Sequence, residues 1–136
     1  MMPNARKASD YARIALAVIR LFNGVAALFL PELLIRQLGM DPATNPAGIY
    51  AFRMFGIRTI LIGAALLQPE PTLRAYSLRV GVIIHASDTA GAAFAGLRRD
   101  LPARAAVMAV LISSINTILA IVARTGLDET ERNRPS

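Results

Sequence analysis

Side chains that could do chemistry recur inside the apolar stretches of this sequence. Arg20, Arg53 and Arg58 lie in the first two stretches, and His85 and Asp88 lie in the third. Arginine presents a planar fork of donors that suits a carboxylate or phosphate group. A histidine near a carboxylate can act as an acid or a base. The pattern therefore allows either the binding of an anionic or carbonyl-bearing ligand or proton-transfer catalysis.

Helical spacing places these residues on shared faces. Arg20 and Asn23 share one face of a first helix, and His85 and Asp88 share one face of a third. Asn116 belongs to a fourth helix, where its amide suits hydrogen bonds between helices. We expect an inward-facing cluster in which His85 and Asp88 are the candidate catalytic pair. The candidate ligand-binding residues are Arg20, Asn23, Arg53, Arg58 and Asn116.

The charges of this cluster do not balance. Three arginines face the single carboxylate of Asp88, so two positive charges lack a partner even after one full ion pair. In a structural interpretation Arg53 reaches the lipid headgroups and Arg20 donates to backbone carbonyls. Arg58 then forms a bridge with Asp88. In a functional interpretation the cluster holds a lipophilic ligand or meets an acidic residue of a partner protein.

Composition excludes several function classes. Hydrophobic residues make up 54% of the 136 residues and charged residues 18%. The chain has no cysteine, which excludes disulfides, zinc-thiolate sites and thiol catalysis. His85 and Asp88 alone are too few for a metal site, which Glu32 and Asp41 could complete only by folding in from the loop. No nucleotide or phosphate-loop motif predicts a cofactor. The net charge of +6 comes from scattered residues without a basic stripe, so we expect no nucleic-acid partner.

Apolar stretches of membrane-spanning length recur along the chain. No charged residue lies between Ala105 and Ala123, so every face of that helix is compatible with lipid. The other stretches contain the charged residues described above and need one another to shield them. The sequence therefore predicts an all-α fold, a bundle of four transmembrane helices near residues 11–30, 49–68, 75–97 and 103–123.

The connections between these stretches carry recognisable helix signals. The run from Pro31 to Gly39 predicts a short interfacial helix between helices one and two. Asn45 before Pro46 is typical of a helix start. Thr125-Gly126 predicts the end of the fourth helix. We therefore expect a single membrane domain over residues 1–127 and a mobile charged tail over residues 128–136.

Basic residues predict the orientation. Four crossings place both termini on one side of the membrane, and loops on the cytoplasmic side are enriched in Lys and Arg. The sequence predicts a multi-pass protein of the cytoplasmic (inner) membrane with both termini cytoplasmic. The two sides compare as Arg6, Lys7, Arg13, Arg74, Arg79, Arg124, Arg132 and Arg134 inside against Arg36, Arg98, Arg99 and Arg104 outside.

The order of these residues, over roughly residues 14–124, resembles that of small four-helix bacterial membrane proteins of the DoxX-like group. The resemblance implies a four-helix integral membrane fold and an accessory role beside membrane oxidoreductases. It supplies no catalytic residues. It is carried by Arg20-Leu-Phe-Asn23-Gly24, Pro31-Glu32-Leu33-Leu34, Arg53-Met-Phe-Gly56-Ile-Arg58 with Gly63, His85-Ala-Ser-Asp88 and Asn116.

Two functional hypotheses follow from the buried cluster, and transport is a third possibility, for which four helices without an internal repeat would need to oligomerise to build a pathway. In the first, the protein binds a lipophilic small molecule or a lipid headgroup, or acts as an accessory subunit for a partner membrane protein or a second copy of itself. In the second, it is a membrane-embedded enzyme. Asp88 or His85 would then transfer a proton on an isoprenoid-like or quinone-like substrate while the arginines stabilise negative charge.

Overall fold

Helices account for nearly all of the folded chain. A computed structural model describes residues 3–132, except for the side chains of Pro3, Ala5 and residues 127–132. No strand occurs within this range, which confirms the all-α prediction. A 3-10 turn spans Pro42–Thr44, and the α-helices are α1 (Pro3–Phe29), α2 (Pro31–Gln37), α3 (Pro46–Ala65), α4 (Pro71–Leu97) and α5 (Ala103–Arg132).

Four of these helices are long and apolar enough to cross a membrane, as the sequence predicted. Many of their large apolar side chains point outward. Phe22 is 74% exposed and Ile83 is 67% exposed. Such apolar outer surfaces exceed what a water-soluble monomer normally shows. The candidate spans are Arg6–Phe29, Pro46–Ala65, Pro71–Leu97 and Ala103–Gly126.

The predicted helix-end signals around α2 and α3 are confirmed. Asn45 accepts a hydrogen bond from the backbone N–H of Gly48 at 2.9 Å, and Pro46 opens α3. Glu70 accepts from the N–H of Thr72 at 3.0 Å, which holds the pKa of that carboxyl below its usual range. The turn after α2 uses Gly39 at a φ of +82°, a conformation that favours glycine. These local interactions determine where the helices begin and end.

The predicted end of the fourth helix at Thr125-Gly126 is wrong. α5 continues to Arg132, so most of the predicted tail is helical, and residues 133–136 lie outside the described residues. A glycine inside a helix costs only about 1 kcal/mol, which the good helix formers that follow can offset. Gly126 serves packing instead, because a Cβ there would overlap the side chain of Ser9. Ser9 donates to the carbonyl of Ala123 at 2.7 Å.

The four long helices pack in a defined order. α1 packs along α3 on one side and along α5 on the other, and α5 packs along α4. α3 and α4 make few contacts with each other. The arrangement therefore has one open side, between α3 and α4.

The apolar core occupies only one half of this arrangement, the half nearest the two chain ends. It lies where α1 begins, α3 ends, α4 begins and α5 ends. Arg13 closes this half by donating to the carbonyl of Leu66 at 2.7 Å. The other half, on the side of α2, holds a cavity rather than a packed core. The core residues are Ala12, Leu16, Ala17, Leu66, Leu78, Ala120 and Ala123, with Val82 and Leu119 packed against them.

Glycines bring α1 and α3 into close backbone contact beside that cavity. A Cβ at Gly56 would lie 2.7 Å from the carbonyl oxygen of Gly24 and 2.7 Å from the backbone nitrogen of Leu28. A Cβ at Gly24 would meet the backbone nitrogen of Ile60 at 2.9 Å. Small residues allow such close helix packing in membranes. This contact fixes the positions of the α1 and α3 side chains that line the cavity.

We expect Gly56→Ala to lower the free energy of unfolding by about 1–3 kcal/mol, because the new methyl group must displace backbone atoms. Gly81→Ala is the matched control, since a Cβ at Gly81 meets no atom within 4 Å. That variant should be unchanged or slightly more stable. Chemical unfolding in mixed micelles, followed by helical circular dichroism, measures both. Equal stability of the two variants would contradict the close contact of α1 and α3.

Candidate functional site

A cavity of about 640 Å³ lies between the long helices on the side of α2. Its walls come from all four long helices, and α2 adds Leu34, Gln37 and Leu38. The size falls within the range of small-molecule sites. All the predicted site residues except Arg53 line it, namely Arg20, Asn23, Arg58, His85, Asp88 and Asn116.

The cavity combines apolar walls with a polar floor. Phe52, Phe55, Ile84, Met108 and Ile112 contribute apolar surface. The polar residues that close the inner end are Arg20, Thr59, His85 and Asn116, all of them buried. This division follows from the helix registers, since these four residues lie near the middle of their helices. A site of this form holds a polar group at depth beneath an apolar one.

Arg20 and His85 form the central contact of the floor. The Arg20 guanidinium donates from Nη2 to Nε2 of His85, and both side chains are buried. A guanidinium can only donate, so the nitrogen that it meets carries no proton and the imidazole is neutral. The structural interpretation had Arg20 donating to backbone carbonyls. The side chain takes the His85 ring instead, because this ring reaches it from α4 at the same depth.

The polar floor is incompletely satisfied. Arg20 is 3% exposed and Asn116 is 7% exposed. Arg20 Nε and Asn116 Oδ1 nevertheless have no hydrogen-bond partner. Buried polar atoms are nearly always paired, so an orphaned atom at a cavity needs an explanation.

The predicted bridge between Arg58 and Asp88 is not formed. The described residues contain no ion pair within 4 Å between them, and Arg58 lies over the Phe55 ring at 5.8 Å from its centroid. The physical reason is that α3 and α4 hardly touch, so these residues stand on opposite sides of the gap. Asp88 is half-buried and interacts with Arg20 at longer range.

The predicted acid/base pair is also not formed as a hydrogen bond. His85 and Asp88 share a face of α4, but the His85 ring contacts Arg20 rather than the carboxylate. The described residues include no hydrogen bond to the Asp88 carboxylate, which therefore stands free in the cavity wall. Of the two, Asp88 is the group that could accept a proton from a ligand.

Arg53 lies outside the cavity. It lines a separate groove of about 360 Å³ with Glu32 and Arg36, in the first half of α3 beside α2. Arg53 and Arg58 are five residues apart, which separates them by roughly 140° around a helix. The two arginines therefore cannot serve the same inward face.

Residues that the sequence did not single out complete the site. Thr59 is 4% exposed and contributes a hydroxyl beside Arg58. Leu34 and Gln37 come from α2, which the sequence predicted only as an interfacial element. The spacing of Thr59 from Gly56 and Gly63 on one helix face was the available signal for it. No sequence signal shows that α2 lies against the cavity.

The arrangement can hold a polar group between Arg20, Arg58, Asp88 and Asn116 while its apolar walls contact a hydrophobic chain. Among the described residues, no group of three His, Cys, Asp or Glu side chains could hold a metal ion. Comparisons of the chain with protein-family models, curated proteins and solved structures find no significant match.

Proposed function

We propose that this chain is a multi-pass membrane protein that binds a lipophilic ligand by its polar head. In this proposal the four long helices form a transmembrane bundle, and the ligand enters from the lipid phase between α3 and α4. The observation that carries the proposal is the cavity itself, whose lining includes two guanidinium groups and one carboxylate on otherwise apolar helices. Ionisable residues at membrane depth are costly and are a functional site by default.

The open side and the apolar walls support a lipophilic ligand. A ligand that reached the cavity from water would need a polar path, whereas the gap between α3 and α4 is flanked by apolar surface. The cavity wall facing this gap includes Phe52, Phe55 and Ile84. An acyl or prenyl chain can therefore leave through the gap while the head stays at the floor. This geometry gives a lipid a path that needs no helix displacement.

The charges support a head that is anionic or bears a carbonyl. Arg20 and Arg58 supply two positive charges and Asp88 one negative charge, while the His85 imidazole is neutral. The cavity therefore carries a net charge of one positive unit. A single anionic group neutralises it, and a carbonyl oxygen accepts from the guanidinium donors.

We also propose the predicted orientation, in the inner membrane with both termini cytoplasmic, and membership of the DoxX-like group. The excess of Lys and Arg near the terminal ends of α1 and α5 supports the orientation. In that orientation α2 lies at the outer surface, and the cavity on its side of the helices opens to the outer leaflet. The ligand would therefore be an outer-leaflet lipid. An accessory role beside another membrane protein is compatible with this site.

A second candidate is a membrane-embedded enzyme that transfers a proton on an isoprenoid-like or quinone-like substrate. The free carboxylate of Asp88 in the cavity wall favours it, because a general base must be open to its substrate. His85 is the weaker candidate, since its ring already accepts from Arg20. In this case Asp88→Asn abolishes turnover without unfolding the protein.

Mass spectrometry of the lipids that stay bound during purification tests the binding function. We expect one lipid species with an anionic or carbonyl head to be enriched over its share of the membrane. Recovery of bulk phospholipid in membrane proportions would contradict the proposal. The protein should be extracted in two unrelated detergents, so that enrichment by one detergent is excluded.

Gly91→Leu should lower the amount of bound lipid at least tenfold, since about 1.4 kcal/mol of lost contact is sufficient. Gly91 lines the cavity, and a Cβ there meets no atom within 4 Å, so the larger side chain fills the cavity without displacing the backbone. Ala90→Leu is the matched control, because Ala90 is the exposed neighbour on the same helix and does not line the cavity. Equal lipid retention by both variants would place the ligand elsewhere.

A further inference from the structure

The floor of the cavity contains two unpartnered polar atoms of opposite kind. In the described part of the chain, three buried side-chain atoms lack a hydrogen bond, and two of them, Arg20 Nε and Asn116 Oδ1, belong to residues that line the cavity. Arg20 Nε–H is a donor and requires an acceptor. Asn116 Oδ1 is an acceptor and requires a donor. Each unmet group is unfavourable when buried, and a bound ligand that pairs it recovers this loss.

The Asp88 carboxylate adds a second unmet acceptor to the same cavity. No described residue donates to it or forms an ion pair with it within 4 Å. A ligand donor can therefore meet Asn116 from α5 or Asp88 from α4, while a ligand acceptor meets Arg20 from α1. A head group that satisfies the floor must therefore carry both a hydrogen-bond donor and a hydrogen-bond acceptor.

Many lipid heads offer only one of these functions. A phosphodiester without a hydroxyl or amine substituent, a simple ester and a ketone supply acceptors but no donor. Such a head would satisfy Arg20 and leave Asn116 Oδ1 unmet. The unmet acceptors therefore disfavour these heads.

We infer that the ligand of this cavity carries a hydroxyl beside a carbonyl in its head, as a monoacylglycerol does. This inference rests on the proposed binding function and names the ligand class. The carbonyl accepts from Arg20, and the hydroxyl donates to Asn116 or Asp88. The acyl chain leaves through the gap between α3 and α4.

Monoolein and methyl oleate form a matched pair of probes. They share the same chain and the same ester carbonyl, and only monoolein has hydroxyl donors. We propose to add both at equal concentration to the full chain in detergent micelles and to compare the two complexes by native mass spectrometry. We expect a preference for monoolein of at least about tenfold, since one unmet buried acceptor is worth that much.

Asn116→Leu should reduce this preference to about threefold or less, because the buried acceptor is then gone and Asp88 alone remains. Binding of methyl oleate should become stronger, because this ligand then no longer covers an unmet acceptor. Thr117→Val is the matched control on α5, since Thr117 donates to the carbonyl of Ser113 at 2.8 Å and does not line the cavity. It should keep the full preference for monoolein.

The outcomes separate this inference from the function on which it rests. If neither lipid binds the unmodified chain, the proposed binding function fails. If both bind equally well, the cavity binds lipids but the head-group inference is wrong. If the preference persists in Asn116→Leu and also in Asn116→Leu combined with Asp88→Ala, the hydroxyl is recognised elsewhere and the inference is likewise wrong.

Discussion

His85→Leu is expected to lower the free energy of unfolding by about 2–3 kcal/mol, because it leaves a buried guanidinium without its acceptor. Arg20 is 3% exposed and already lacks a partner for Nε, so few donors of this side chain remain satisfied. Leucine is close to histidine in volume, so the loss does not come from a cavity. Chemical unfolding in mixed micelles measures the change.

A double-mutant cycle separates the contact from the two single residues. Replacing both Arg20 and His85 by Leu removes the polar pair together, and this variant should be more stable than His85→Leu alone. Arg58→Leu is the control, since that guanidinium is exposed and should change stability by about 0.5 kcal/mol or less. A coupling energy near zero in the cycle would show that Arg20 does not depend on His85.

The helix pattern could be predicted because its signals are local. Asn45 before Pro46 starts α3, and Gly39 allows the turn after α2. Each effect depends only on residues a few positions away, so it can be predicted from the sequence alone. The same reasoning wrongly predicted a helix end at Gly126, because the role of this glycine depends on Ser9 at the opposite end of the described chain. A glycine that ends a helix and a glycine that admits a neighbouring side chain look identical in sequence.

The inward-facing cluster could be predicted, but its contacts could not. Charged residues in apolar helices must turn away from lipid, and this rule alone brings Arg20, His85 and Asp88 to one interior. Which of them meet depends on which helices are neighbours and at what depth. The gap between α3 and α4 removes the expected partner of Arg58, and Arg20 meets His85 instead.

The position of Arg53 outside the cavity could have been predicted from the sequence. Its angular distance from Arg58 places the two on different faces of α3, and only one of those faces can point inward. The contact of α2 with the cavity could not have been predicted from the sequence. A short amphipathic helix carries no mark that distinguishes contact with a membrane surface from contact with the cavity, yet Leu34 and Gln37 line it.

Asp88→Asn is expected to raise the affinity of the cavity for an anionic lipid about tenfold, because it changes the net charge from one positive unit to two. Two unit charges about 6 Å apart interact by about 3 kcal/mol at an effective dielectric of 20. Salt screening at this half-buried site lowers that energy to about 1.4 kcal/mol, which corresponds to the tenfold change. Oleyl sulfate is a suitable probe, since it is ionised at every working pH. Native mass spectrometry measures the change against methyl oleate as the uncharged reference.

Arg58→Gln should act in the opposite direction and weaken oleyl sulfate binding about tenfold by the same screened Coulomb energy. Both variants should change the affinity for methyl oleate by less than tenfold. Because Arg58 and Asp88 form no ion pair, Asp88→Asn should also fold normally without a compensating change at Arg58. If Asp88→Asn instead failed to accumulate and Arg58→Leu restored it, the two residues would form a structural pair, and the charge of the cavity would not be available to a ligand.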